Sequence, residues 1–173
     1  LAEYIARSGG SLPEAEAVDL VCDVLDGLRP IHKESVLHRD VDPQNIYRKE
    51  GGTAMLIDFG AAREVMGTRG QELDVVLKSG YAPYEQYLPD GNQGPHTDVY
   101  ACAATLYKCL TGLKPPKAID RIQNDQLVSP REVRPEVSLE TSVAVLKGLS
   151  LDLARRPASV DDFAELLYNS DPS

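Results

Sequence analysis

The chain has 173 residues, 42% of them hydrophobic and 26% charged, which is the composition of a globular protein of about one domain. Its formal net charge of -9 excludes a broad nucleic-acid footprint, because neutralising backbone phosphates requires clustered Lys and Arg. No apolar run reaches the roughly 18 residues that cross a bilayer, so we expect no membrane segment within this chain.

Three cysteines lie inside apolar helical patterns, without the spacing of metal ligands. An odd number fits poorly with a disulfide framework, so we interpret Cys22, Cys102 and Cys109 as reduced, packed thiols of a cytoplasmic domain. The chain starts with "LAEYIARSGG", which has neither an initiator Met nor the pattern of a signal peptide. We therefore expect it to be a piece of a longer protein.

The first third of the chain predicts two helices. Residues 1 to 8 form a short helix that ends at Gly9-Gly10, and "SLPE" at 11 to 14 is a capping-box start with Pro in the first turn. The second helix is amphipathic and extends to about residue 34. Its apolar residues recur at helical spacing: Val18, Val21, Cys22, Leu25 and Leu28.

The rest of the chain predicts one hairpin, a long ordered loop and several helices. Two short apolar pieces around Gly51-Gly52, within 45 to 58, indicate a β-hairpin, and residues 61 to 96 have the Gly, Pro and charge content of a functional loop. A central buried helix begins at a capping-type Thr97 and covers about 97 to 112. Weaker helical patterns follow near 117 to 127, 138 to 149 and 160 to 168. The predicted fold is mainly α with a small β-hairpin.

Two loops carry polar groups suited to phosphoryl transfer. "HRDVDPQN" at 38 to 45 precedes the hairpin and "IDFG" at 57 to 60 follows it, so Asp40, Asn45 and Asp58 can converge. The transfer needs a metal that neutralises phosphate oxygens and a carboxylate that orients the attacking hydroxyl. Mg²⁺ prefers a few hard oxygen ligands, which makes Asn45 and Asp58 candidate ligands and Asp40 the candidate base. Alternatively, each is a turn residue chosen for backbone reasons.

Together these motifs resemble the protein kinase family, specifically the C-terminal lobe of a Ser/Thr-type, eukaryotic-like kinase of bacterial type. "HRDVDPQN" is similar to the catalytic loop, with His38 and Arg39 beside Asp40; "DFG" at 58 to 60, ending in Gly60, is similar to the metal-binding triplet. "GYAPYEQY" at 80 to 87 resembles the end of the activation segment, which would cover 58 to 85. The resemblance implies one kinase C-terminal lobe over 1 to 173, with ATP and Mg²⁺ as cofactors and a protein hydroxyl as acceptor.

The resemblance also implies structural roles for three residues. Asp98 in "TDVYA" is similar to the family Asp that holds the catalytic-loop backbone, and Arg156 is similar to the Arg that pairs with the activation-segment Glu, here Glu85. A bidentate Arg and carboxylate pair fixes geometry as well as charge. The alternative is that Arg155 and Arg156 form a solvated basic helix end.

The chain departs from the family in two respects. The Gly-rich loop, the strand Lys and its Glu partner belong to the N-terminal lobe, which nothing before Leu1 supplies; we therefore expect weak nucleotide binding and negligible activity of this piece alone. Asp42 stands where the family usually has a Lys. A unit charge about 4 Å away is worth roughly 4 kcal/mol at an effective dielectric near 20, so we expect compensation. Lys78 is the candidate, pairing with Asp42 or meeting the γ-phosphate, unless it is a solvent-facing loop residue.

Regulation is less clearly marked. The resemblance implies that Arg39 helps to bind a phosphorylated activation segment, in which a phosphate adds charge and three acceptors. Thr68 and Ser79 are the nearby hydroxyl candidates, and Thr68 is favoured by its setting "MGTRGQ". The alternative is that Thr68 is an ordinary loop residue.

The sequence leaves three functions open. The first is a fragment of a Ser/Thr protein kinase that uses MgATP on a protein substrate. The second, favoured by Asp42, is a pseudokinase or scaffold lobe that binds protein partners. The third is a kinase-like small-molecule phosphotransferase, against which "DFG", "APYE" and Arg156 argue together because they build a peptide-docking segment. An exposed interlobe face is also expected to favour a dimer of the fragment in a crystal.

Overall fold

Helices make up most of the computed structural model, which describes residues 1–59, 63–64 and 77–168. Two N-terminal helices, α1 (Ala2–Arg7) and α2 (Glu14–Lys33), precede all the strands. A 3-10 helix, Tyr84–Tyr87, leads to the central helix α3 (Pro95–Thr111). The remaining helices are α4 (Ala118–Gln123), α5 (Pro130–Val133), α6 (Leu139–Gly148) and α7 (Val160–Tyr168). Within the described residues, no helix combines the length and the apolar character needed to cross a membrane.

The core is built around α3, which is buried along nearly its whole length because its sequence is apolar on almost every side. Helix α2 packs on one part of its surface and α6 on another, and α7 closes the group against α2, α3 and α6. Leu25, Tyr100, Leu106 and Phe163 are fully buried. Side chains of this size each contribute about 1.5 to 3 kcal/mol when removed from water. Packing against the core thereby fixes the position of α3.

The predicted hairpin is confirmed. Strand β2 (Ile46–Arg48) pairs antiparallel with β3 (Ala54–Leu56), with Ile46 opposite Leu56. A second antiparallel pair joins β1 (Val36–Leu37) to β4 (Arg63–Glu64). The sequence did not predict this pair, because strands of two residues are too short to show an alternating pattern. The two pairs flank the loop between β1 and β2.

Most helix boundaries agree with the predicted ones, but α4 ends four residues before the predicted end near 127, α5 has no predicted counterpart, and two caps differ. The capping box predicted at 11 to 14 is wrong: α2 begins at Glu14 with Pro13 as its N-cap and no side-chain cap bond. Helix α3 begins at Pro95, two residues before the predicted start, because Pro is well suited to the first helical turn. Thr97 still serves this end of the helix, since its Oγ1 accepts a hydrogen bond from the Gly94 N–H at 3.1 Å.

Candidate active site

The loop between β1 and β2, residues 38 to 45, is held by Asp98 in the first turn of α3. Asp98 is fully buried, and its two oxygens accept hydrogen bonds from the backbone N–H groups of His38 (2.9 Å) and Arg39 (2.8 Å). The Nε2 atom of His32, at the end of α2, lies 2.8 Å from Asp98 Oδ2. A carboxylate at a helix N-terminus is also favoured by the helix dipole. Helix α3 therefore fixes the position of this loop through Asp98, and α2 supports Asp98 through His32.

The backbone at Arg39 is strained and is held from both sides. Its φ of 65° lies in the left-handed region, which costs a non-glycine residue about 1 to 2 kcal/mol. Asp98 binds the Arg39 N–H, and the Gln86 side-chain amide donates to the Arg39 carbonyl at 3.0 Å. Such strain persists where surrounding contacts over-determine the backbone, as they do here. The strained residue immediately precedes Asp40.

Asp40 is half-buried and is oriented by Asn45. The Asn45 Nδ2 group donates to the Asp40 carbonyl at 2.8 Å and to Asp40 Oδ2 at 2.7 Å. The Asp40 N–H lies 3.3 Å from Nδ1 of His38. Because the amide hydrogens of Asn45 go to Asp40, its Oδ1 atom is left to act as an acceptor; no described residue donates a hydrogen bond to it. The hydrogen bonds from Asn45 to Asp40 thus fix the orientation of both side chains.

Asp58 reaches the same region from the outgoing end of the hairpin. The Ile57 N–H donates to the Asn45 carbonyl at 2.9 Å, which ties the residue before Asp58 to the loop. Asp58 also has a positive φ, 62°, and the Phe59 ring packs edge-on against the buried His38 ring at 4.8 Å between centroids. Burial lowers the pKa of His38, and the negative charges of Asp98, Asp40 and Asp58 oppose that shift. One buried imidazole therefore lies within electrostatic range of both candidate carboxylates.

The residues at this position fit a magnesium ion in their chemistry. Asn45 offers an amide oxygen and Asp58 a carboxylate, which are hard ligands of the kind Mg²⁺ prefers. Among the described residues, no group of three or more His, Cys, Asp or Glu side chains is arranged to hold a metal. A protein share of one carboxylate and one amide suits an ion that takes its other ligands from water and phosphate.

Lys78 lies against two carboxylates. Its ammonium group forms an ion pair with Asp42 Oδ2 and lies 3.3 Å from Asp40 Oδ1. Asp42 is only 1% exposed, and its Oδ1 accepts a hydrogen bond from the Gln44 N–H at 2.5 Å. Partial burial by itself lowers the pKa of Lys78, but the hydrogen bond and charge of Asp42, with Asp40, outweigh it and the net pKa is raised. Lys78 therefore contacts two carboxylates of the loop and is only partly exposed to solvent.

Glu85 and Arg156 form a buried bidentate pair, with distances of 2.6 Å and 3.4 Å between their nitrogens and oxygens. Arg156 also donates to the carbonyls of Ser150 and His96, at 2.9 Å and 3.2 Å. The Thr97 hydroxyl donates to Glu85 at 3.2 Å. The pair therefore joins the 3-10 helix to the start of α3 and to the segment before α7.

Of the remaining residues singled out from the sequence, the structure describes Ser79 but not Gly60 or Thr68. Ser79 is exposed, next to Lys78. Gly60 and Thr68 lie outside the described residues. Sequence reasoning missed Gln86, which binds the Arg39 carbonyl of the loop, and His32, which contacts the Asp98 carboxylate that holds the loop. No pattern within the chain marks such partners, because their contacts join residues 66 and 47 positions apart.

Comparison with known proteins identifies the family of the chain. The family model described as protein kinase domain matches residues 1–173. The chain belongs to the protein kinase domain family. Its resemblance to a bacterial Ser/Thr kinase is confirmed, and the loop that carries Asp40 and Asn45 lies within the matched range.

Several bacterial relatives are similar to the chain. Serine/threonine-protein kinase PknL of Mycobacterium tuberculosis is 34% identical over 106 residues, 61% of this chain and 27% of that protein. Serine/threonine-protein kinase PknH of the same species is 27% identical over 178 residues, 98% of this chain and 28% of that protein. Serine/threonine-protein kinase F of Synechocystis is 33% identical over 126 residues, 70% of this chain and 25% of that protein. The chain thus spans about a quarter of the length of these relatives.

Proposed function

We propose that the chain is the C-terminal lobe of a Ser/Thr protein kinase that transfers the γ-phosphate of ATP to a protein hydroxyl. The observation that supports this most strongly is the arrangement at Asp40, whose carboxylate is held by Asn45 beside the loop that carries Asp58. Asp40 orients the acceptor hydroxyl and takes its proton as the new oxygen–phosphorus bond forms. The bond between the γ-phosphorus and the β,γ-bridging oxygen breaks, and ADP leaves.

Asn45 and Asp58 would hold Mg²⁺ in this reaction. The ion would neutralise charge on the phosphate oxygens, which is the largest requirement of phosphoryl transfer. Burial of His38 and its contact with Phe59 keep the loop that carries Asp58 packed on the catalytic loop. We propose that Glu85 and Arg156 fix the segment that docks the protein substrate, because the buried pair leaves that segment little freedom.

The N-terminal lobe of the same kinase would complete the nucleotide site. An apolar surface at the hairpin supports this: Tyr47, Ile57 and Phe59 are 53%, 39% and 48% exposed. Next to it is an open cleft of about 640 Å³, lined in part by Ile46, Tyr47 and Ile57. A second lobe covering this face would remove apolar area from water at about 25 cal/mol per Å². We therefore propose that these 173 residues alone have negligible activity and that the complete kinase works in the cytoplasm, where ATP is available.

A scaffold lobe without chemistry is the second candidate, and Asp42 is the observation that favours it. Asp42 is only 1% exposed, and the resemblance places it at the position where the family has a Lys, so that it would add negative charge beside an incoming phosphate. Its ion pair with Lys78 weakens that candidate, because the site then carries a compensating cation. The kinase function is therefore the better supported one.

The experiment is a phosphate-transfer assay with the full-length protein that contains this chain. Radiolabelled MgATP and a generic protein substrate are supplied, and the phosphorylated residue is identified by mass spectrometry. We expect phosphoserine or phosphothreonine, and loss of at least about 100-fold in rate for Asp58→Asn. The exposed Asp90→Asn is the matched control and should leave the rate unchanged. Transfer equal in wild type and Asp58→Asn, or absent from wild type, would contradict the proposal.

A further inference from the structure

The two oxygens of Asp40 have different partners. Oδ2 accepts the Asn45 amide at 2.7 Å, and Oδ1 faces the Lys78 ammonium at 3.3 Å. A carboxylate held at both oxygens cannot rotate about its terminal bond without losing one contact. Lys78 and Asp40 are 31% and 27% exposed at their side chains, so this pair lies at the open side of the site. The orientation of Asp40 therefore depends on Lys78 as well as on Asn45.

Lys78 is itself held in place from two directions. Its backbone carbonyl accepts hydrogen bonds from the N–H groups of Tyr81 and Ala82, both at 3.1 Å, and these two residues are 7% and 5% exposed. Its ammonium is held by Asp42, whose position is fixed by the Gln44 N–H. A buried turn at one end and a buried carboxylate at the other leave a flexible side chain few alternatives.

Asp42 gains a function in this arrangement. A carboxylate removed from water is costly unless it is paired and hydrogen-bonded, and Asp42 has both a hydrogen bond and a cation. Its oxygen directs the ammonium of Lys78 to the side of the site where Asp40 lies. Asp42 is thus an anchor for the lysine, in addition to being neutralised by it.

We propose that Lys78 is a positioning residue that acts through Asp40, and that Asp42 anchors it there. This inference rests on the proposed kinase function. It connects the segment containing residues 78 to 82 with the catalytic loop, so that the candidate base is correctly oriented only while that segment is in place. A displacement of about 1 Å at a reacting group can reduce a rate by about 100-fold.

The test uses steady-state kinetics of the full-length protein and its single variants. Lys78→Met removes the charge and keeps most of the volume; we expect kcat to fall about 10- to 100-fold, with KM for MgATP changed less than about threefold. Lys78→Arg keeps a cation and should recover most of kcat. Lys33→Met, an exposed lysine at the end of α2, is the matched control and should behave as wild type.

The decisive variant is Asp42→Asn combined with Lys78→Met, which removes both charges together. We expect it to recover the thermal stability that Lys78→Met loses, because no buried charge is left unpaired, while kcat stays low. Recovery of kcat in this double variant would overturn the inference, since Lys78 would then only neutralise Asp42. Wild-type kcat in Lys78→Met would also overturn it. Wild-type protein without phosphate transfer would instead refute the proposed function on which the inference rests.

Discussion

Replacing Arg156 by Met should severely destabilise the fold. The Arg156 side chain is fully buried, and its guanidinium binds both oxygens of Glu85, as well as the carbonyls of Ser150 and His96. The Met side chain fills much of the space but leaves the buried Glu85 carboxylate with the Thr97 hydroxyl at 3.2 Å and the His96 Nε2 atom at 3.9 Å in place of a bidentate guanidinium. Removing one partner of a buried ion pair typically costs about 3 to 5 kcal/mol.

The measurement is equilibrium urea unfolding, which gives the free energy of unfolding of each variant. Arg155 is the matched control, since its side chain is 82% exposed and its contact with Asp152 is 3.6 Å long. Arg155→Met should therefore have no measurable effect. For a chain of this size the loss at Arg156 corresponds to a fall of about 10 °C in Tm. Arg156→Met with the same free energy of unfolding as Arg155→Met would refute the idea that the buried pair holds this segment.

Two further predictions concern packing and pH. Gly148→Ala should destabilise the fold by about 1 to 3 kcal/mol, because the new Cβ would lie 2.5 Å from the Ala103 Cβ. Gly27→Ala should stabilise the fold instead, because no described atom lies within 4 Å of the new Cβ and Ala favours a helix. Thermal unfolding measures both variants. The pKa of Asp125 is lowered by its hydrogen bond to Arg121, so its stabilising contribution is present above the unfolded value of 3.8 and is lost as pH falls through the lower folded pKa. Asp125→Asn should therefore destabilise more in urea unfolding at pH 7 than at pH 2, and an equal effect at both pH values would contradict this.

The helical spacing of apolar residues predicts much of this fold, because burying one face of a helix requires apolar residues at that spacing within a single segment. The central helix and the helix over 160 to 168 are present within two residues of their predicted ends. The start of α2 was mispredicted because "SLPE" fits a capping box locally, while the backbone at Pro13 already takes the N-cap position. Pairing of β1 with β4 joins segments that are distant along the chain and leaves no local signal.

The residues of the candidate site are predictable from the sequence where the chemistry of phosphoryl transfer requires a particular residue type. Asp40, Asn45 and Asp58 were singled out because phosphoryl transfer needs hard oxygen ligands and a carboxylate. Their mutual hydrogen bonds could not be predicted, since these depend on side-chain orientation rather than on spacing. The ion pair of Lys78 with Asp42 is expected from charge compensation and from the resemblance, which places Lys78 where protein kinases commonly have a Thr that contacts the catalytic Asp and Lys. The 3.3 Å between the Lys78 ammonium and Asp40 Oδ1 depends on side-chain orientation. Tertiary placement supplies that detail.

Asp40 is proposed to act as the base in phosphate transfer, in an orientation fixed by Asn45 and Lys78. The positioning role proposed for Lys78 depends on this role of Asp40. Single-turnover transfer from MgATP to a protein substrate, measured with the full-length protein, tests this most directly because binding and product release are excluded from the rate. Asp40→Asn keeps the size of the side chain and removes its ability to accept a proton. We predict a rate lower by about 100- to 10,000-fold with unchanged thermal stability. A single-turnover rate within about twofold of wild type would contradict the proposed role of Asp40.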